Sequence, residues 1–225
     1  MSAGRRGVVF DLDGVLVRSE HLWEQGWIGY AARHAGTWTA ADTRACQGMS
    51  VSEWGRYLAD RTSHDPDDAT DAVIGSVVAA YRAGEVPLAA ASATSSSAPA
   101  ARGPVALATS APREVIEVVM DGMGLGGSFA AAVSSAEVRA GKPDPAVYLE
   151  AMRRAGIDGG VAVEDSSNGV RAASGAGLTV LAVPDPAYPL APDAAALADS
   201  VHGSLGEVRA RLRELLDADG RGDPR

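Results

Sequence analysis

Short apolar runs ending in polar residues or glycine recur along this chain: GVVFDLDG, VALATSA, AAAVSSAE, VAVEDSSNG and TVLAVPD. Runs this short suit strands buried on both faces, and amphipathic stretches lie between several of them. REVIEVVMDGMG puts Val115, Val118 and Val119 at helical spacing and closes on Gly124. PDPAVYLEAMRRAG opens with Pro143 and Pro145 and closes on Gly156, with proline at the start and glycine past the end as helices prefer. NGVRAASGAGL reads as a short helix whose small residues pack close to a sheet. Strand and helix alternating in this way define an α/β fold with a parallel sheet covered by helices on both faces.

Residues 20–87 break the alternation, with no convincing strand. Trp23, Trp27 and Ala31 share one helical face, as do Val73, Val77 and Tyr81 at four-residue steps. The segment is expected to be an α-helical insertion after the first strand, in a core made of residues 1–19 and 88–225. Its aromatic residues read as packing residues. The low-complexity run AAASATSSSAPAA at 89–101 has little apolar surface to bury and is expected to be mobile or poorly packed. The tail DADGRGDPR lacks the spacing and terminal glutamate of a calcium loop and reads as a charged, frayed end.

Composition narrows the function. A net charge of −9 argues against a broad nucleic-acid surface, which needs a basic stripe. The single cysteine, Cys46, excludes an intrachain disulfide framework, suits a reducing compartment and reads as a small buried hydrophobe. No apolar run reaches the roughly 18 residues of a membrane span, and the apolar stretch after Met1–Arg6 is too short for a signal peptide. The expectation is a cytoplasmic, monomeric protein with no membrane and no nucleic-acid partner.

In an open parallel sheet, ligands bind beyond the carboxyl ends of the strands. Those ends carry Asp11 and Asp13, then Thr109 and Ser110, then Glu164, Asp165 and Ser166, while the loop AGKPDP carries Lys142. Each residue alone is accounted for by a helix cap or a loop charge. Together they bring four acids, several hydroxyls and a lysine to one edge. Crowded carboxylates repel one another and raise each other's pKa. A hard divalent cation relieves this, and oxygen ligands suit Mg²⁺ better than Zn²⁺. Such a site attracts phosphate: Thr109 and the Ser110 N–H can bond its oxygens, and Lys142 supplies a compact positive charge.

DLDGV (11–15), ATSA around Thr109, GKPDP with Lys142 and EDSSNG (164–169), in that order, resemble the four motifs of the haloacid dehalogenase-like superfamily of phosphotransferases. The resemblance spans almost the whole chain and implies a Rossmann-like core with a small α-helical cap at 20–87. It also implies that Asp11 is the nucleophile, giving an aspartyl-phosphate. Asp13 is then general acid for the leaving alkoxide and general base for water. Mg²⁺ is held by Asp11, the Asp13 backbone carbonyl and Asp165, with Glu164 auxiliary. Thr109, Ser110 and Lys142 bind the transferring phosphoryl group. Gly14 permits the sharp turn that lets substrate approach. Gly48 to Ser50 forms the cap loop facing the site, so Gly48 joins the substrate-binding set.

Family dehalogenases use no metal and lack an acid two residues after the nucleophile, so Asp13 favours phosphoryl transfer. β-Phosphoglucomutases of this family carry a histidine twelve residues after the nucleophile and an arginine just after the Gly-x-Ser loop; here those positions are Trp23 and Val51. SEHLW (19–23) resembles sugar-phosphate and hexitol-phosphate phosphatases of the same subgroup. The resemblance thus implies a phosphatase for small phosphorylated metabolites, with a phosphohexomutase as the alternative. His21 is two residues off the mutase position, where a helix turns it elsewhere; it reads as a substrate contact or a surface residue. Arg18 stands where relatives usually have aspartate, at the start of the loop into the cap.

Overall fold

A computed structural model of the chain describes residues 4–85, 103–122 and 124–219. The expectations for 89–101 and for the DADGRGDPR tail beyond Asp219 lie outside the described residues. Six strands form one parallel sheet: β1 (Arg6–Phe10), β2 (Val105–Thr109), β3 (Ala131–Ser134), β4 (Gly159–Glu164), β5 (Thr179–Ala182) and β6 (Ser200–Val201). Their order across the sheet is β3-β2-β1-β4-β5-β6. β1 is central, paired with β2 on one side and β4 on the other. The order reverses direction at this point, where an open α/β sheet leaves a crevice for a ligand.

Alternation along each strand builds two cores. Val8 and Phe10 face one side with Leu107, Val161, Val163 and Leu181. Val9 faces the other with Ala106, Ala108, Val133, Ala162 and Val180. Because both faces are covered, the strands read as continuous apolar runs, and the fold is the α/β class that those runs imply. β6 is the exception: two residues, Ser200 and Val201, with Val201 exposed, give the sequence no apolar run to show.

Among the described residues between β1 and β2 lie four helices: α1 (Glu20–Arg33), α2 (Ala40–Cys46), α3 (Val51–Thr62) and α4 (Pro66–Arg82). Local chemistry sets their starts. Asp65 caps α4 by accepting from the Asp67 N–H, with Pro66 in the first turn. Thr39 with Asp42, and Ser50 with Glu53, form reciprocal capping boxes at α2 and α3. Trp23, Trp27 and Tyr30 of α1, Trp54 and Leu58 of α3, and Val73 and Val77 of α4 are buried in the same cluster as Val8 and Phe10. The helical segment and one face of the sheet therefore share a continuous apolar core. α5 (Arg113–Gly122) and α9 (Leu205–Asp219) contribute Val115, Ile116, Val119, Val208 and Leu212 to this core. α6 (Ala146–Ala155) and α7 (Ser167–Gly175) cover the opposite face, where Val147, Tyr148, Val170 and Ala173 are buried, and the four-residue α8 is Pro192–Ala195. α5 stops at Gly122, two residues short of the expected Gly124, which takes a left-handed φ of 63° in the turn that follows.

Gly7 of β1 and Gly160 of β4 face each other in register. A Cβ on Gly160 would lie 1.9 Å from the Gly7 carbonyl oxygen, and its φ of 144° is strained for any side chain. Gly160→Ala is therefore expected to wedge the central strand pair apart and lower stability by about 2 kcal/mol or more. Urea unfolding followed by circular dichroism measures this directly; an unchanged midpoint would show that the pair tolerates the extra carbon.

Candidate active site

The carboxyl end of β1 turns at once. The Leu16 and Val17 N–H groups donate to the Leu12 carbonyl at 2.8 and 3.1 Å, and the Gly14 N–H donates to the Val17 carbonyl at 2.8 Å. Gly14 has a left-handed φ of 74°, and a Cβ there would lie 1.9 Å from Asp165 Oδ2. Only glycine lets the two acid-bearing loops approach so closely. This turn presents Asp11 and Asp13 to a half-open cavity of about 660 Å³, part of it open to solvent. Thr109, Ser110, Lys142, Asp165, Ser166 and Gly48 line the same cavity, so the sequence-predicted residues converge on one volume. Glu164 lies directly behind it, fully buried.

Lys142 stands at the centre. Its Nζ donates to Asp11 Oδ1 at 2.9 Å and to Glu164 Oε1 at 2.6 Å, and all three side chains are buried. Burial opposes the charge on Lys142, but the two carboxylates outweigh it and raise its pKa above the ordinary lysine value. Glu164 is saturated by protein donors. Oε1 also accepts from Tyr148 Oη at 2.7 Å, and Oε2 accepts from the Asp165 N–H, the Ser166 N–H and Ser166 Oγ. A Cβ at Gly169 would fall within 1.8 Å of Glu164 Oε1, so that helix position must also be glycine.

Burial pushes the Asp11 pKa up against the attraction of Lys142, helped by the charges of Glu164 and Asp13. Asp165 is raised well above the carboxylate range by burial and by the charges of Glu164, Asp11 and Glu20. Asp13 is also raised by burial, although Ser19 Oγ and Trp23 Nε1 (3.0 Å) both donate to its Oδ1. Carboxylate oxygens of Asp11, Glu164 and Asp165 come within 4.8 Å of one another, an all-oxygen donor set. That set, and the crowding that raises these pKa values, fit a hard divalent cation such as Mg²⁺.

The loop after β2 is braced from two sides. The Ala111 N–H donates to Thr109 Oγ1 at 3.0 Å, and buried Ser134 Oγ donates to the Ala111 carbonyl at 2.6 Å. The brace holds Ser110 at the cavity, where its buried hydroxyl has no partner among the described residues. Across the cavity, Gly48 takes a φ of 71°, and its α-hydrogen side lies against Ser166 and Asn168 at the start of α7.

Sequence reasoning missed several contributors. Ser19 and Trp23 bind Asp13, and Glu20, its carboxyl pushed up to about 7 by burial and nearby acids, lines the cavity. The aromatic residues of the insertion are not packing residues alone: Trp23, Trp27 and Trp54 are buried in the core and also form cavity wall. Helical spacing marks a buried face without telling what lies against it. Cys46 is buried as expected and also lines the cavity; burial pushes its thiol up to about 12, so it is unreactive near neutral pH. His21 and Arg18 are exposed and are not among the lining residues.

Residues 6–177 match the haloacid dehalogenase-like hydrolase family, and the chain belongs to that family. It is 28% identical to the validoxylamine A 7'-phosphate phosphatase of Streptomyces hygroscopicus subsp. limoneus over 76% of this chain and 81% of that one. Hexitol phosphatase B of Escherichia coli K12 is 36% identical over 48% of this chain and 49% of its own length. Among solved structures, a hydrolase of the same family from Deinococcus radiodurans R1, with bound phosphate and sodium, superposes with a TM-score of 0.67 at 29% identity, covering 95% of this chain and 97% of that one.

Replacing Lys142 with methionine leaves the buried Asp11 and Glu164 carboxylates facing each other without a cation. The expected loss is about 3–5 kcal/mol of folding stability at pH 8, read from denaturant unfolding. A second substitution, Glu164→Gln, is expected to restore part of it.

Proposed function

We propose that the protein is a Mg²⁺-dependent phosphatase that hydrolyses phosphate monoesters of small metabolites, sugar phosphates foremost, through an aspartyl-phosphate on Asp11. The observation that carries this reading is the pair Asp11 and Asp13 at the end of the central strand, facing Lys142, Asp165 and an unpartnered Ser110 hydroxyl in one cavity. The phosphatase names of two relatives support it.

Each group has a task. Lys142 occupies Asp11 Oδ1, which leaves Oδ2 to attack phosphorus as the bond to the alcohol oxygen breaks. Asp13 gives that oxygen its proton. Two donors fix Asp13 Oδ1 as an acceptor, which leaves Oδ2 to carry the proton, and burial raises the affinity of the carboxyl for that proton. Asp13 then takes a proton from the water that attacks the phosphoaspartate, releasing phosphate and restoring Asp11. Thr109 Oγ1, which accepts from Ala111 and keeps its own hydrogen to donate, and Ser110 bind the phosphoryl oxygens. Asp11, Asp165 and the Asp13 carbonyl would hold Mg²⁺, with saturated Glu164 acting through Lys142. When bound, the ion offsets the crowded carboxylates and the phosphoryl charge.

The mutase alternative is weaker on one observation. Trp23 stands at the mutase histidine position, and its indole N–H, a donor with no acceptor capacity, bonds Asp13. A coupled assay for glucose 1-phosphate conversion to glucose 6-phosphate with little phosphate released would reverse the choice. The net charge of −9 and the single cysteine support a cytoplasmic enzyme acting on a diffusible substrate; no helix among the described residues is long and apolar enough to cross a membrane.

Phosphate release from a sugar-phosphate panel is expected with Mg²⁺ and to disappear with EDTA. Asp11→Asn is expected to lower kcat by on the order of 10³ or more and Asp13→Asn by about 10²–10⁴; substantial turnover in Asp11→Asn would sink the mechanism.

The sign of the pH effect also follows. Asp11, Asp165 and Glu20 hold protons more tightly in the folded protein than in the unfolded chain, Glu20 with a folded pKa of about 7. In the metal-free protein, protonation therefore relieves the site at low pH, and that relief is lost as pH rises toward 7. Mg²⁺ competes with those protons. The rise in Tm on adding Mg²⁺ is expected to be larger at pH 7.5 than at pH 5.5, by thermal unfolding at the two values.

A further inference from the structure

The two walls of the cavity differ in chemistry. On the sheet side lie Asp11, Asp13, Asp165, Lys142 and the loop hydroxyls. The side contributed by the helical segment past Glu20 carries no charged side chain: Trp23, Trp27, Cys46, Gln47, Met49 and Trp54. Trp54 sits between the other two indoles, its ring centre 6.1 Å from that of Trp23 and 6.0 Å from that of Trp27 and its plane tilted 58° to each. Trp23 Nε1 is committed to Asp13. Trp27 Nε1 is buried and has no acceptor among the described residues, and the residue, 4% exposed, lines the cavity. A buried donor left unpaired is costly, and a ligand oxygen that bonds it removes that cost.

Charge decides what that ligand is not. Among the described lining residues Lys142 is the one cation, and Asp11 and Glu164 already hold it. Arg113, four residues past Thr109, is turned to Glu137 and the Ala132 carbonyl. Val51 stands where an arginine would enter α3, and Arg18 is not part of the lining. A second phosphate or a carboxylate on the substrate would be desolvated against indole rings with Glu20 nearby and no counter-charge.

We infer that the substrate is a monophosphate of an uncharged alcohol, which lays an apolar face on the Trp23, Trp54 and Trp27 indoles and an oxygen on the Trp27 indole N–H. This rests on the phosphatase reading and goes beyond it: the helical wall selects against sugar bisphosphates and phosphorylated acids. Ring-shaped polyols fit, since one face is C–H and the rim is hydroxyl. Trp27 is the specificity-determining residue, because its ring supplies surface and its N–H supplies direction.

The test compares kcat/KM for glucose 6-phosphate, fructose 1,6-bisphosphate and 2-phosphoglycolate. Acetyl phosphate, too small to span the cavity, serves as the reporter of the chemical step. Wild-type protein is expected to favour glucose 6-phosphate over each anionic substrate at least tenfold. Trp27→Phe keeps a ring and removes the N–H; the ratio of kcat/KM for glucose 6-phosphate to that for acetyl phosphate is expected to fall about tenfold, mostly through KM. Gln47→Arg puts a cation on the wall and is expected to move preference toward the bisphosphate. A wild-type preference for the bisphosphate or phosphoglycolate, or an unmoved ratio in Trp27→Phe, overturns the inference while phosphate release from acetyl phosphate leaves the phosphatase reading standing. No release from acetyl phosphate removes the phosphatase reading first and the inference with it.

Discussion

Lys142 reaches the carboxyl edge of the sheet from the loop before α6 and sets its ammonium between Asp11, 131 residues earlier, and Glu164, 22 residues later. Taking these charges out of water costs several kcal/mol for each ion, and attraction in the low-dielectric interior offsets it only when every lone pair is filled. On Glu164 they are filled: Tyr148 Oη completes one oxygen, and backbone N–H groups of Asp165 and Ser166 complete the other. Much of the local backbone follows from that demand. β4 ends where it must to offer Glu164, the next two residues turn back over it, and Gly169 leaves room for it. The nucleophile candidate is thus held by a network whose far end belongs to the fold's support.

Facing that network is a wall with little polarity of its own. The loop at Gly48 touches Ser166 and Asn168, and Ser50 packs on Gly141 beside Lys142. The helical segment therefore rests on the same loops that carry Lys142 and Asp165. Setting indoles against a charged edge lowers the local polarity on one side of the cavity, which strengthens each electrostatic contact there. It also explains why Asp13 can take two hydrogen bonds and still keep a raised pKa: the donors come from Ser19 and Trp23, and the surroundings are buried.

The central strands and the acidic motifs are legible in the sequence because both obey local rules. Val8 to Phe10 reads as a strand from composition alone, and two aspartates two residues apart in an extended chain share a face. β6 is not legible, since two residues gain their strand geometry from pairing with Leu181 and Ala182, not from their own character. The convergence of Thr109, Lys142 and Asp165 on Asp11 follows from one rule about strand ends. The partnership of Trp23 with Asp13 does not, because a tryptophan at helical spacing announces burial and is silent about its N–H. Ser110 was read for its backbone N–H; that its hydroxyl is also unpartnered becomes visible only once Ser134 is seen bracing the loop at Ala111.

All four tryptophans of the chain lie in the helical segment, and three of them face the cavity. Trp38, the fourth, is 5.7 Å from Trp27, so the set is close enough to share excitation energy. The sheet and its catalytic edge contribute no indole. The tryptophan fluorescence of this protein therefore comes wholly from the helical segment, three of its four sources lining one cavity, and it will report what rests against them without any label being attached.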